Sequence, residues 1–165
     1  MNINLLLFVV LMIQFEDKMK QFLKENSISA EFLSFNQSCH TVEEAADSLG
    51  TTVDNLVKNI CLIGVDGETI IGIVNGKDRA STSQISKSLV TPRPRLATPE
   101  EILERTGYPC GGTPSFGFKA RFLIDPKVME KEYIYTSGGS ETSLMKISTK
   151  ELQRANNGEV VKIRK

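Results

Sequence analysis

Two β-rich runs, Lys58-Asn59-Ile60-Cys61-Leu62-Ile63-Gly64-Val65 and Glu68-Thr69-Ile70-Ile71-Gly72-Ile73-Val74, flank the dipeptide Asp66-Gly67. Aspartate followed by glycine supplies the backbone freedom that a tight reversal between antiparallel strands requires, so this is the clearest hairpin in the chain. With 165 residues, the chain is long enough for one well-buried core and too short for two ordinary domains. Everything else must pack around that hairpin.

Upstream, Met19, Phe22 and Leu23 recur at helical spacing between Lys18 and Glu25, and Ala30 to Phe35 alternates as a strand does. Thr41-Val42-Glu43-Glu44 has the form of a capping box opening a helix that runs to Leu49 and stops at Gly50. A second short helix is expected from Val53 to Val57, capped by Thr52, with Asp54 in its first turn and Lys58 at its end.

Downstream, Thr82 to Leu89 and Thr98 to Thr106 read as helices, the second opened by a capping Thr98 and Pro99 at the first helical position. Pro92 and Pro94 enforce an extended linker between them. Gly107 to Gly117 (GYPCGGTPSFG) holds four glycines and two prolines, which excludes both helix and strand. Phe122–Asp125, Glu132–Tyr135 and Leu144–Ile147 read as strands, 137–140 as a turn, Thr149–Ala155 as a helix and Val160–Ile163 as a last strand. About seven strands and four or five helices without regular alternation disfavour a doubly wound parallel sheet and favour a mixed α/β fold, a mixed sheet or half-open barrel.

Leu5 to Ile13 (LLLFVVLMI) is an unbroken apolar run. It lacks the basic leader and small-residue cleavage site of a signal peptide, and a spanning helix needs roughly 20 apolar residues. Residues 1–18 are therefore set apart from a domain at 19–165, with three readings open: an extra strand or helix packed on the domain or a partner, an over-extended start with Met19 as initiator, or a membrane anchor. Three cysteines without disulfide or C-x-x-C spacing point to a reducing compartment and hence to the cytoplasm.

Twenty Lys and Arg balance twenty Asp and Glu, so the diffuse attraction of a strongly basic nucleic-acid binder is missing and an RNA partner must be held by a local site. The single histidine, His40, precedes a helix and suits a surface or capping role; with one histidine neither a metal site nor a Ser or Cys triad is supplied with ligands or bases. No P-loop is present, and no cofactor is implied. Two glycine-rich stretches, Gly111-Gly112-Thr113-Pro114-Ser115-Phe116-Gly117 and Ser137-Gly138-Gly139-Ser140, are either tight turns or sites where backbone N–H groups bind a phosphate or a developing oxyanion. Lys58 either serves a helix end and solvent or aims its ammonium into a cleft.

In order along the chain, T-V-E-E-A-A at 41–46, V-K-N-I at 57–60, G-Y-x-x-G-G-x-P-x-F-G at 107–117 and Y-x-S-G-G at 135–139 together resemble the YbaK/prolyl-tRNA synthetase-associated editing domain family, over about Met19 to Leu152. The resemblance implies a YbaK-like mixed sheet curled around a cleft, helices outside, that binds the 3′ acceptor end of aminoacyl-tRNA and hydrolyses a mischarged ester in trans, with an aminoacyl-tRNA synthetase as a further partner. It implies that Lys58 holds the terminal phosphate or the substrate while Gly111 and Gly112 present amides to the aminoacyl carbonyl. Thr113, Pro114, Ser115, Phe116, Gly117, Ser137, Gly138 and Gly139 then line the substrate's side of the cleft.

The chain departs from the family at Ser115, where many members carry proline, and at Met145, where bacterial cysteinyl-tRNA deacylases carry an acidic residue. Alanine, cysteine, serine and threonine all stay open as the esterified amino acid. The alternative is a tRNA- or synthetase-binding module of the same fold without hydrolysis. A synthetic site separates small apolar side chains by only about 1–3 kcal/mol per methylene, which is the physical reason for a second, hydrolytic sieve.

Overall fold

The computed structural model describes residues 2–165, with Met1 outside them. The elements run α1 (Ile3–Glu25), β1 (Ala30–Ser34), α2 (Val42–Leu49), a 3-10 turn (Val53–Asn55), β2 (Val57–Ile63), β3 (Thr69–Asn75), α3 (Thr82–Leu89) and β4 (Arg95–Leu96). They continue with α4 (Pro99–Thr106), β5 (Arg121–Ile124), α5 (Pro126–Met129), β6 (Tyr133–Ser137), β7 (Ser143–Ser148), α6 (Thr149–Asn156) and β8 (Glu159–Val160).

The hairpin forms as the Asp-Gly signal requires: β2 pairs antiparallel with β3 from Val57 opposite Asn75 to Ile63 opposite Thr69, and Gly67 turns the chain at φ +84°. The capping box of Thr41 with Glu44 is made, the capping Thr98 forms a second with Glu101, and both helices end on glycines in the left-handed region, Gly50 and Gly107.

The strands form two sheets. One is antiparallel, in the order β1-β7-β6; the other is mixed, in the order β4-β2-β3-β5-β8, with β5 parallel to β3 and β8 parallel to β5. A parallel bridge between Leu56 and Tyr135 joins them, so the whole is a curled mixed α/β fold and not a closed barrel. Both faces of the hairpin are covered. Val57, Cys61, Ile71 and Ile73 enter the core that Met19, Tyr108, Phe116, Ile134 and Met145 share, whereas Leu62, Ile70 and Val74 pack on the other side with Ile85 of α3 and Ile163. Burial on two faces explains why these strands read as near-continuous apolar runs. A third cluster of Cys39, Ala45, Ala46, Leu56 and Leu144 lies under α2.

Three expectations are corrected. The helix expected over Val53–Val57 is only the 3-10 turn Val53–Asn55, which Thr52 does not cap through its side chain; pairing with Asn75 draws Val57 into β2. Lys58 is therefore the second residue of a strand and not a helix terminus. Two elements of two and four residues, β4 and α5, raise the count to eight strands and six helices among the described residues.

Residues 3–25 form one continuous helix, so a boundary at 18/19 falls in its middle. The apolar run lies in the outer half of this helix: Met12, Met19 and Leu23 are buried on the domain, while Ile3, Leu5 to Leu11 and Ile13 stay exposed. Among the described residues, no helix is long and apolar enough to cross a membrane.

The inner half of α1 is fastened through Glu16. Its carboxylate accepts hydrogen bonds from Ser140 Oγ at 2.8 Å, Ser34 Oγ at 3.2 Å and Thr142 Oγ1 at 3.3 Å. Glu16→Ala is expected to lower stability by about 1–2 kcal/mol, because the Ser140 hydroxyl is buried and loses a charged acceptor. Leu7→Ser on the exposed half is expected to stay within about 0.5 kcal/mol. Urea midpoints of the two variants, at unchanged slope, check the contrast.

Candidate functional site

Where the two sheets meet, the start of β2, the end of β6 and the loops at 39–43 and 110–113 enclose a cleft of about 400 Å³. Lys58 and Asn59 both line it, although neighbours on a strand leave by opposite faces. Lys58 turns toward the loop after β3, where its Nζ donates to the carbonyl of Asp78 at 2.7 Å. No carboxylate lies within ion-pair distance of it among the described residues, and an ammonium has three donors. The Asp78 carboxylate faces Lys127 instead, at 3.6 Å. Lys58 thus presents a largely uncompensated positive charge to the cleft.

Asn59 turns inward and braces the glycine-rich loop. Its Nδ2 donates to the carbonyl of Thr113 and to Thr136 Oγ1, each at 3.0 Å, and its Oδ1 accepts from Ser115 Oγ at 2.6 Å. Ser115, fully buried, also meets Thr136 Oγ1 at 2.7 Å, and its carbonyl accepts from Asn156 Nδ2 at 3.0 Å. These contacts hold residues 113–115 across β2 and β6, and a satisfied buried network of this kind makes a loop rigid.

Backbone amides on the loop divide into used and unused. Gly112 N–H donates to the Pro109 carbonyl at 2.9 Å, closing a turn. Gly111, at φ +84°, and Thr113 line the cleft, and their N–H groups have no protein acceptor among the described residues. Glycine is needed at 111 for two reasons: its φ, and the ring of His40, which a Cβ there would strike.

The remaining candidates are divided between wall and support. Ser137 lines the cleft, and its Oγ accepts from Gly139 N–H at 3.2 Å. Pro114, Phe116, Gly117, Gly138 and Gly139 stand behind the wall. Phe116 stacks on Phe22, Gly117 leaves room for Met19, Gly138 N–H donates to the Ser143 carbonyl at 3.0 Å, and Gly139 packs on Tyr108 and the backbone of Phe15. Met145 is likewise buried in the core, so both departures from the family pattern, Ser115 and Met145, sit behind the cleft surface.

Several lining residues were not singled out from the sequence. Asn59 and Thr136 read there as ordinary polar strand positions, Cys39, His40 and Glu43 come to the cleft together from one segment, and Cys110 comes from another. The apolar part of the wall is Val42, Ala45, Leu56 and Leu144. Burial pushes the Cys39 thiol up from its ordinary value, against the opposing effect of its hydrogen bond with Ser48, and so keeps it a poor nucleophile. Among the described residues, no group of three or more His, Cys, Asp or Glu is placed to hold a metal ion.

The family model for the aminoacyl-tRNA editing domain matches residues 36–155, which include every lining residue of the cleft. The chain belongs to the aminoacyl-tRNA editing domain family. Among curated relatives of this editing domain, the uncharacterized protein YwhH of Bacillus subtilis is 28% identical over 134 residues, 80% of this chain and 82% of that one. The proline–tRNA ligase of Oleidesulfovibrio alaskensis is 27% identical over 113 residues, 67% of this chain but only 20% of the ligase. Among solved structures, a candidate trans-editing enzyme for prolyl tRNA synthetase superposes with a TM-score of 0.84 at 25% identity, covering 91% of this chain and 96% of that one.

Proposed function

We propose that this editing domain is a free-standing aminoacyl-tRNA deacylase, hydrolysing in trans the ester that joins a small, wrongly attached amino acid to the 3′ end of a tRNA in the cytoplasm. The observation that carries the reading is the convergence of three groups on one cleft: the unpaired amides of Gly111 and Thr113 and the uncompensated ammonium of Lys58. The relatives support the tRNA substrate and connect it to the prolyl system. The likeness to a candidate trans-editing enzyme for prolyl tRNA synthetase supports action in trans.

The ester is already activated, so hydrolysis needs placement and charge stabilisation more than a protein nucleophile. Lys58 holds a phosphate oxygen of the terminal nucleotide. The aminoacyl carbonyl points at the Gly111 and Thr113 amides, which receive the negative charge when water adds to the carbonyl carbon. Collapse of the tetrahedral intermediate breaks the bond to the ribose oxygen and returns a free 3′ end. Val42, Ala45, Leu56 and Leu144 present an apolar wall that suits a small side chain.

The test is a panel of tRNAs charged with alanine, cysteine, serine and threonine, with loss of the ester followed over time. Release from at least one of them is expected. Absence of release from all four, at enzyme levels where a control editing protein works, sinks the deacylase reading. Binding of charged tRNA without turnover favours a non-catalytic module of the same fold.

A further inference from the structure

The chain's only histidine was read from sequence as a capping or surface residue. The fold puts it elsewhere. Residues 35–40 are sewn to the turn at 140–142 by two backbone hydrogen bonds, Phe35 N–H to the Thr142 carbonyl at 2.8 Å and Cys39 N–H to the Glu141 carbonyl at 2.5 Å. The His40 backbone is held from the other side, donating to Glu44 Oε2 at 3.1 Å and Ser38 Oγ at 3.2 Å. Within this frame the imidazole lines the cleft, its Nδ1 lies 3.2 Å from Glu141 Oε1, and the ring rests on Gly111, one of the two residues with an unused amide. Nε2 has no protein partner among the described residues.

We propose that His40 is the general base of the deacylation, oriented by Glu141 as its positioning residue. An ionised carboxylate beside Nδ1 keeps the proton on that nitrogen and leaves the lone pair on Nε2, the arrangement by which a carboxylate sets the tautomer of a catalytic histidine. Nε2 accepts a proton from water as the water oxygen bonds to the aminoacyl carbonyl carbon, and the carbonyl electrons move onto the oxygen held by the Gly111 amide. When the intermediate collapses, the bond from carbon to the ribose oxygen breaks, and that oxygen takes the proton back from the imidazolium. Ester and water become carboxylic acid and alcohol, and the histidine is regenerated.

The contact with Gly111 gives the arrangement its geometry. One rigid loop carries the oxyanion donor, and the ring packed on that loop carries the base, so the two sides of the same carbonyl are addressed by groups whose spacing is set by van der Waals contact. The other charged or titratable groups around the ring are Glu44 and Glu43 on α2, Lys58 on β2, and the thiols of Cys39 and Cys110. Glu44 is spent on the helix cap, accepting from Ser38, His40 and Thr41. Glu43 is the competing base.

The inference rests on the deacylase reading, and one experiment separates the two. Steady-state deacylation of the responsive charged tRNA is measured against pH for the wild type, His40→Gln, Glu141→Gln and Glu43→Gln, with thermal melts to confirm folding. The expected result is a fall of a hundredfold or more in kcat for His40→Gln with little change in KM. Glu141→Gln is expected to fall about tenfold, and the loss of rate that accompanies imidazole protonation in the wild type should be missing from His40→Gln. An active wild type whose His40→Gln variant keeps its rate within threefold, or keeps the same acid limb, overturns the base while leaving the deacylase reading standing. So does a collapse of activity in Glu43→Gln alone. A wild type inactive on the whole panel overturns both.

Discussion

Lys58→Ala is expected to lower kcat/KM for deacylation ten- to a hundredfold while leaving the melting temperature nearly unchanged. The lysine has a single protein hydrogen bond, to the Asp78 carbonyl, and no carboxylate partner. Its removal leaves no buried charge unpaired, and what is lost is attraction to the substrate. A charge-assisted hydrogen bond to phosphate is about twice as strong as a neutral one, which supports a loss of this size. Lys58→Arg keeps the charge but replaces a point donor by a planar fork on a longer stem, so only partial recovery is expected. Raised salt should narrow the difference between wild type and Lys58→Ala, because screening weakens the interaction that the variant lacks. Unchanged turnover in Lys58→Ala would remove the residue from the site.

Asp125→Ala is expected to cost about 3–5 kcal/mol of folding free energy, because it strands buried partners of a buried charge. Asp125 is fully buried at the end of β5 and caps α5 through Lys127 N–H. It also accepts from the backbone N–H groups of Ile163 at 3.0 Å and Arg164 at 3.1 Å and pairs with the Arg164 guanidinium, pinning the last residues of the chain. Burial pushes its carboxyl up. The N–H groups of Ile163, Lys127 and Arg164 and then the guanidinium outweigh that, and the net position is below the ordinary value. The folded state therefore binds fewer protons than the unfolded chain. The resulting stability is full above the unfolded carboxylate range, near about 4, and is lost as pH falls from there through the folded value. Asp125→Asn should flatten the acid side of the stability curve, measured by urea unfolding from neutral pH down to about 3. A variant with the wild-type slope there would show that other carboxylates carry the acid sensitivity.

What was legible in the sequence was the local chemistry. Asp66-Gly67, the capping box at Thr41 to Glu44, the capping Thr98 with Pro99 and the stop at Gly50 act within four residues, and each element they bound is present. The irregular character of 107–117 was equally plain from its glycines and prolines. The failures occur where partners are distant. Val57 lies in a stretch compatible with a helix until Asn75 pairs with it, and Asn59 is unremarkable until Thr113, Ser115 and Thr136 arrive from two other segments. His40 has no visible role without a turn some hundred residues away. That Lys58 and the glycine-rich loop share a cleft was inferred from the order of motifs, since neither periodicity nor composition relates positions so far apart.

The pairing of the antiparallel sheet has a consequence for when the cleft can exist. β1 runs beside β7, Ala30 opposite Ile147 and Ser34 opposite Ser143, so the strand that precedes His40 finds its neighbour only in the last part of the chain. The same late segment supplies Ser137, Thr136 and Glu141. On a ribosome, the hairpin of β2 and β3 can close early, since its contacts are local, but the pocket cannot assemble until residues up to about 148 have emerged. A chain released before that point has its lysine, its histidine and its glycine loop, yet no enclosure in which they meet.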